Sequence, residues 1–339
     1  MVVVSQKMET QPNIAVVILN YNGQHWLEKF LGDVVYKSPE AEVYVADNAS
    51  TDNSVSYIQE NHPSVKLIQN QKNYGYAGGY NQALQAICAD YYVLLNSDIE
   101  VIEHWLTAVI QRMESDHKIA ACQPKIRSYH QKKNFEYAGA CGGLVDKLGY
   151  PFCRGRIFDT LEKDELQYEK AIPIFWATGA CLFVRANAFH EIGGLDDDFF
   201  AHMEEIDLCW RLKNIGYSVW VEPKSIVYHV GGGTLQSGSS FKTYLNFRNN
   251  LFMLYKNLAK PWKTIIQRLL LDGLAGIKFL SEGKIIHTWA IVRAHFAFYA
   301  SIAKLKKKRA KTFQATLYPI NILTAYYLHG KKRYSDLTK

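Results

Sequence analysis

Residues 14 to 19 (Ile-Ala-Val-Val-Ile-Leu) form a β-branched apolar run that stops at Asn20-Tyr21-Asn22-Gly23, and an amphipathic stretch follows from about Trp26 to Val35. This pattern predicts strand, loop and helix. It returns with Glu42 to Ala46 running into Asp47-Asn48-Ala49-Ser50-Thr51-Asp52, then a helical stretch, then Val65 to Ile68 ahead of Asn70 to Asn73. A third cycle reads as a helix over Tyr76 to Ala89 and a strand over Tyr91 to Leu95. Alternating βαβ units with buried parallel strands predict a doubly wound α/β sheet, whose ligand lies outside the carboxyl ends of the strands. The polar residues that end each strand are therefore the candidates for chemistry.

After residue 120 the pattern loosens. Gly139, Gly142, Gly143, Gly149 and Gly155 punctuate a loop-rich stretch, and Ala171 to Arg185 reads as a strand pair around Thr178-Gly179. A helix from about Met203 to Ile215 and a strand from Ser218 to Val221 follow. From Phe241 onward the texture changes to long helical stretches rich in Lys and aromatics, with no internal repeat and no low-complexity tract. The segment Ile285 to Ala303 is about long enough to span a bilayer, but Arg293 inside it is costly there. A helix lying in the interface, with Trp289, Phe296, Phe298 and Tyr299 inserted and Lys304 to Lys311 outside, is one reading. A helix packed on the preceding domain with a solvated basic end is the other.

Composition adds an asymmetry. The 339 residues are 48% hydrophobic and 21% charged, which excludes disorder as the main theme and suggests about two domains. Residues 1 to 240 hold 20 Lys and Arg against 29 Asp and Glu, a net of −9, whereas residues 241 to 339 hold 19 against 3, a net of +16. The division predicts a domain over 1–240, with halves at about 12–120 and 121–240, and a basic helical extension over 241–339. Such an extension attracts anionic surfaces, either lipid headgroups or nucleic-acid phosphates. The six cysteines are scattered with no C-x-x-C pair, so a reducing, cytoplasmic setting is expected rather than a disulfide scaffold or zinc ribbon. The N-terminal valine run is too short for a secretory signal, and the mature chain is expected to start near Met1.

Four constellations follow strands or open helices. Asn96-Ser97-Asp98 places an amide and a carboxylate two apart, so that both can face one ligand. A hard divalent cation takes one or two protein carboxylates and completes its shell from a substrate diphosphate. Against this stands a simple strand-ending turn. Asp47 to Asp52 offers a carboxylate for a base or ribose, or an Asx turn with a helix cap. In Met203-Glu204-Glu205-Ile206-Asp207, helical spacing puts Glu205 with Leu208, Cys209 and Leu212, and Glu204 with Asp207, Leu208 and Arg211. Glu205 is thus the carboxylate aimed toward the apolar side, suited to a general base kept ionised near a helix N-terminus. An Asp207–Arg211 ion pair and dipole complementarity account for the other acids. Finally, His229 enters Gly231-Gly232-Gly233-Thr234, where an imidazole is a third candidate metal ligand and glycines admit close backbone approach. No lysine follows these glycines, and Gly75-Tyr76-Ala77-Gly78-Gly79 is not G-x-G-x-x-G, so neither a Walker loop nor a dinucleotide fingerprint is present.

The order and spacing of these pieces decide more than any one of them. Val17 to Asn22, Asp47 to Asp52, Asn73 to Asn81, Asn96-Ser97-Asp98, Thr178-Gly179-Ala180, Gly193-Gly194-Leu195-Asp196, Glu204-Glu205 and His229 together resemble a family 2 glycosyltransferase with the GT-A fold, over about residues 12 to 240. The finer resemblance is to bacterial rhamnosyltransferase-type enzymes that build surface polysaccharides. It implies an α/β, Rossmann-like mixed sheet, a nucleotide-diphosphate sugar donor, a divalent cation (Mg²⁺ or Mn²⁺) and inversion at the anomeric carbon. Carried onto this chain, Asn20, Asn22, Asp47, Asn73 and Gly78 would line the nucleotide pocket and Asn96 would lie near ribose. Asp98 and His229 would hold the cation, and Glu205, with Glu204 beside it, would be the base. Asn96 stands where the family's metal motif usually has Asp, and Glu205 where the base is more often the shorter Asp.

The resemblance further implies a glycan or lipid-linked acceptor, and the basic aromatic extension is expected to bring the enzyme to such an acceptor on the cytoplasmic face of the bacterial inner membrane. Two competing readings exist. A nucleic-acid-binding protein would use the +16 extension, but the acidic first 240 residues oppose a broad nucleic-acid face. A nucleotide-sugar-binding module without catalysis would not need the Glu204-Glu205 pair.

Overall fold

The computed structural model describes residues 11–231 and 238–337. The N-terminal stretch to Thr10 and the Gly232-Gly233-Thr234 part of the glycine run lie outside the described residues. The predicted repeat is present: β1 (Ile14–Asn20), α1 (Gln24–Tyr36), β2 (Glu42–Asp47), α2 (Ser54–Asn61), β3 (Lys66–Gln69), α3 (Gly75–Leu84) and β4 (Tyr91–Asn96). β1 lies parallel between β2 and β4, with β3 parallel outside β2. Successive strand side chains point to opposite faces, so Val16 and Ile18 join Leu27 and Leu31 of α1 in one core, while Ala15 and Val17 join Tyr80 and Ala83 of α3 in another. Helix α3 stops five residues before the expected Ala89. There Asn13 holds the chain, its backbone N–H donating to Asp90 Oδ2 (2.8 Å) and its Nδ2 to the Cys88 carbonyl (3.1 Å), which turns it into β4.

Beyond β4 the sheet is mixed rather than all-parallel. The elements are β5 (Ile99–Val101), α4 (Thr107–Glu114), β6 (Ile119–Ser128), a small antiparallel sheet of β7 (Gly143–Val145), β8 (Pro151–Cys153), β9 (Arg156–Ile157) and β10 (Thr160–Leu161), then β11 (Ile172–Ile174), β12 (Cys181–Arg185), α5 (Ala186–Glu191), α6 (Glu204–Asn214) and β13 (Ser218–His229). The main sheet runs β11-β13-β6-β12-β4-β1-β2-β3, with β5 on β13. A parallel neighbour needs a crossover helix, and β4 instead turns at Ser97-Asp98 straight into β5. β12 therefore reaches the open side of β4 from the opposite direction. The two strands expected over Ala171 to Arg185 do form, but they do not pair: β11 lies on β13 and β12 between β4 and β6.

The C-terminal region is helical: α7 (Ser240–Asn257), α8 (Pro261–Ser281), α9 (Ile285–Lys307) and the short α10 (Tyr334–Leu337). Part of its positive charge is neutralised inside the molecule. Lys256 is buried with Nζ 2.5 Å from Asp196 and 2.9 Å from Asp207, and Lys308 lies 2.5 Å from Asp196 and 2.8 Å from Asp198, which Lys304 also pairs. Lys304 and Lys308 thus face acids of this chain rather than standing free, and Phe298, expected in the interface, is buried against Phe252 and Tyr255. After α9 the chain returns over the small sheet, where Ile322 N–H donates to Asp146 (2.9 Å) and Tyr334 N–H to Glu162 (3.2 Å). Among the described residues no helix is long and apolar enough to cross a membrane.

Candidate functional site

Strand register gathers the predicted polar residues on one edge. Asn20 pairs with Asp47 across β1 and β2, and Leu19 with Asn96 across β1 and β4. Asn20 and Asp47 are buried, with Asn20 Nδ2 donating to Asp47 Oδ1 and to Ser50 Oγ (both 3.1 Å), while Asn20 Oδ1 has no partner. Asn22 braces the next loop: its N–H donates to Ser50 Oγ (2.9 Å) and its Oδ1 accepts from the Thr51 N–H (2.7 Å). Asn73 is turned to the chain, its Oδ1 accepting from Asn48 Nδ2 (3.0 Å) and the Gly75 N–H (2.8 Å). Asn48, which sequence reasoning missed, is the buried hub of this edge. It also donates to the Gly75 carbonyl and accepts from Asn70 and the Tyr74 N–H. Gly78 is a packing glycine: a Cβ there would lie 2.9 Å from Tyr74 Cβ and 3.7 Å from Asp197.

At the end of β4, Asn96 and Asp98 do face one point. His229 Nε2 lies 3.2 Å from Asp98 Oδ1 and 3.4 Å from Asn96 Nδ2. The Gly231 N–H donates to Asp98 Oδ2 (3.2 Å), and Glu136 Oε2 lies 3.1 Å from His229 Nδ1. Glu136 had no signal in the sequence because it comes from the loop-rich stretch after β6. Burial works against charge on both partners, yet their mutual hydrogen bond holds the Asp98 carboxyl below its usual range, and Asp98 with Glu136 raises the imidazole to about 10. Among the described residues no group of three or more His, Cys, Asp and Glu is arranged to hold a metal ion. The adjacent carboxylate and imidazole fit a divalent cation as two ligands, provided a diphosphate supplies the rest and the imidazole gives up its proton.

The acidic helix lies on the same edge. Tyr76 Oη donates to the Gly179 carbonyl (2.6 Å), and its phenol pKa is raised by burial and by the charges of Tyr80, Glu204 and Glu205. The neighbouring Ala180 carbonyl accepts from the Asn96 N–H (2.9 Å), linking the two parts. Before α6 the backbone is strained, with Phe200, His202 and Met203 at φ of 64°, 69° and 72°. Asn249 of α7 holds this loop, its Nδ2 within 2.9 Å of the Phe199, Ala201 and His202 carbonyls. The Phe200 carbonyl accepts from the Tyr76 N–H (2.7 Å), and Gly75 (φ +73°) leaves room for the Phe200 ring.

Glu204, expected on the charged side, is the more buried of the pair, because α6 is buried around most of its circumference and helical phase does not separate its faces. The charged partners go to Asp207: Arg211 at 2.7 Å as expected, joined by Lys256, while the Asn257 amide also donates to it. Oε2 of both Glu204 and Glu205 is buried without a partner. Glu205 is not held fully ionised. Burial pushes it up to about 7 against the backbone N–H groups of the helix start, and burial with the charge of Glu205 pushes Glu204 well up. His202, also missed, has an unpartnered Nε2, with burial and Lys242 lowering it to about 4.

The family model for glycosyl transferase family 2 matches residues 15–193. The chain is 26% identical over 238 residues to N-acetylglucosaminyl-diphospho-decaprenol L-rhamnosyltransferase of Mycobacterium tuberculosis, covering 65% of this chain and 77% of the relative. It is 23% identical over 285 residues to a low-salt glycan biosynthesis hexosyltransferase of Haloferax volcanii, covering 80% and 86%. The solved structure of GalNAc-T7 with UDP, GalNAc and Mn²⁺ matches its fold with a TM-score of 0.59 at 15% identity, over 87% of this chain and 58% of that one. With the family model matched over more than half its length, the chain belongs to glycosyl transferase family 2 and is a glycosyltransferase of the GT-A fold.

Proposed function

We propose that this glycosyltransferase moves a sugar, with inversion, from a nucleotide-diphosphate donor to a hydroxyl of a glycan or lipid-linked acceptor in bacterial surface polysaccharide synthesis. Rhamnose is the sugar we favour, because a rhamnosyltransferase is among its relatives. One observation carries the reading: buried polar atoms without partners, Asn20 Oδ1 and Glu205 Oε2, lie on the strand-end edge that also holds the Asp98–His229 pair. Most buried polar atoms in folded proteins have a partner, and in this reading these two find theirs in the substrates. In this reading Asn20 and Asp47 line the nucleotide pocket and Asn96 lies near ribose. Asn22, Asn73 and Gly78 shape the loops and helix around them.

Asp98 and His229 would hold Mg²⁺ or Mn²⁺ against the diphosphate. When bound, the cation offsets the charge that builds on the leaving diphosphate. Glu205, ionised, takes the proton from the acceptor hydroxyl, whose oxygen forms the new bond to the anomeric carbon as the bond to the diphosphate oxygen breaks from the opposite face. Glu204 stays protonated beside it and leaves Glu205 as the acceptor of that proton. We further propose that the enzyme works on the cytoplasmic face of the inner membrane, where a lipid-linked acceptor is held.

A thermal-shift panel of UDP-, dTDP- and GDP-sugars, each with Mn²⁺, Mg²⁺ or EDTA, tests the donor site. A donor at a hundred times its Kd adds about 2.7 kcal/mol to stability, so one nucleotide class is expected to raise Tm only with metal present. A panel in which no nucleotide sugar moves Tm under any condition would refute donor binding at this edge.

A further inference from the structure

Helices α8 and α9 form an antiparallel hairpin that turns at Gly283. Its inner side is held by Thr288 Oγ1 donating to the Gly276 carbonyl (2.9 Å) and by His295 Nε2 lying 3.3 Å from the Asp272 carboxylate. α9 then packs on α7 through Phe298. This uses one side of each helix. On the other side Ile266, Leu270, Leu274 and Ile277 recur every three or four residues, so they form one stripe along α8, with Leu270 69% and Leu274 62% exposed. Ile286, Trp289 and Phe296 continue the exposed apolar surface on α9. Soluble monomers rarely leave a contiguous apolar face of this kind in water.

We infer that this face of the α8–α9 hairpin rests in the headgroup region of an anionic lipid bilayer, with both helices along its plane. This deepens the reading of a membrane-held acceptor and rests on it for its purpose. Charge selects the occupant: of the hairpin's cations, Lys263, Arg293, Lys306 and Lys307 are exposed and face no carboxylate among the described residues, which attracts anionic lipid and opposes a second copy stacked through the same face. The half-exposed Trp262 and Trp289 carry rings suited to the interface. The helices are amphipathic, and no described helix is long and apolar enough to cross. The docking surface is therefore the hairpin's apolar stripe, rather than a free polybasic end after α9.

Position fits the chemistry. His287 Nδ1 of α9 lies 2.8 Å from Thr243 Oγ1 of α7, and Phe241, two residues earlier on α7, packs its ring on Phe200 beside the Glu204-Glu205 helix start. An acceptor hydroxyl carried just above the headgroups would enter beside Glu205.

Flotation of the full chain with vesicles of phosphatidylcholine, with and without phosphatidylglycerol, tests the inference. The chain is expected to float with the anionic vesicles, and Leu270→Glu/Leu274→Glu to lower the bound fraction by more than about tenfold. Both side chains are exposed, so the variant's melting curve is expected to match the parent's. A parent chain that never floats, or a double variant that floats equally well, overturns the docking. A dimer in solution that the double variant dissolves, without vesicle binding, assigns the face to a second copy and overturns it too. A donor-dependent thermal shift on the same samples separates the two ideas. Flotation without any donor shift leaves the docking standing and removes the glycosyl-transfer site.

Discussion

Replacing Glu205 with Gln keeps the size and shape of the side chain and removes its ability to accept a proton. The carboxyl is pushed up to about 7 by burial, so in the resting enzyme it is about half ionised at pH 7 and about one-hundredth ionised at pH 5. Transfer by the parent enzyme should therefore fall about fifty-fold from pH 7 to pH 5. Loss of a general base costs about 10²–10⁴ in rate, and the residual activity of Glu205→Gln should show no step near pH 7. Stability moves the other way. The folded state raises this carboxyl above its unfolded value of 4.5, so it binds more protons than the unfolded chain between about pH 4.5 and 7, and folding stability declines as pH rises through that window. Above pH 7 the variant should be the more stable protein, by an amount on the order of a few kcal/mol. The assay is nucleotide-diphosphate release with a saturating donor across pH 5 to 9, with urea unfolding of both proteins at pH 5 and 8. A variant that retains more than a tenth of parental transfer, or whose rate still climbs through pH 7, removes Glu205 from the base role.

Three further outcomes follow from the packing of the site. Asn48→Ala removes four hydrogen bonds among the loops after β2 and β3 and should cost about 2–4 kcal/mol, with weaker donor binding in the thermal-shift panel; an unchanged melting temperature refutes its role as hub. Asn249→Ala releases the loop from Phe199 to His202 and should lower kcat more than donor affinity, since it leaves the strained φ angles without their brace. Equal kcat in parent and variant would show that the loop holds its shape alone. Lys256→Met strips the buried cation from Asp196 and Asp207 and should cost about 3–5 kcal/mol near pH 7 by urea unfolding. Lys256 helps hold both carboxyls below their usual range, so this deficit should shrink toward pH 3, where they take up protons without it; a deficit independent of pH contradicts the ion-pair account.

Much of the fold was legible because local chemistry alone sets it. β-Branched runs ending in Asn20, Asp47 and Asn96 mark strands and their polar edge, and register then places those ends side by side whatever else the chain does. Asp98 and His229 were legible as polar residues at strand ends, and the fold brings them together although 131 residues separate them in sequence. Asn48, Glu136 and His202 were not, since an Asn in a turn, a Glu in a loop and a lone His carry no local signature. The hub role of Asn48 comes from the loop between β3 and α3, whose Asn70, Asn73 and Tyr74 fold back onto it. The relative burial of Glu204 and Glu205 was misjudged for a related reason: a helix covered on nearly all sides has no solvent face for its period to report.

By itself, then, the sequence determined the α/β alternation, the polar strand ends and the family, because these rest on residue types at short spacings. Tertiary structure alone decided where the positive charge of the last hundred residues goes. A charge count cannot tell a cation facing solvent from one facing an acid of its own chain, and only packing set Lys256 and Lys308 against Asp196. It also decided which aromatic side chains of α9 are core and which are surface. Phe298 and Phe296 lie two positions apart on one helix, and the neighbouring α7 buries only the first.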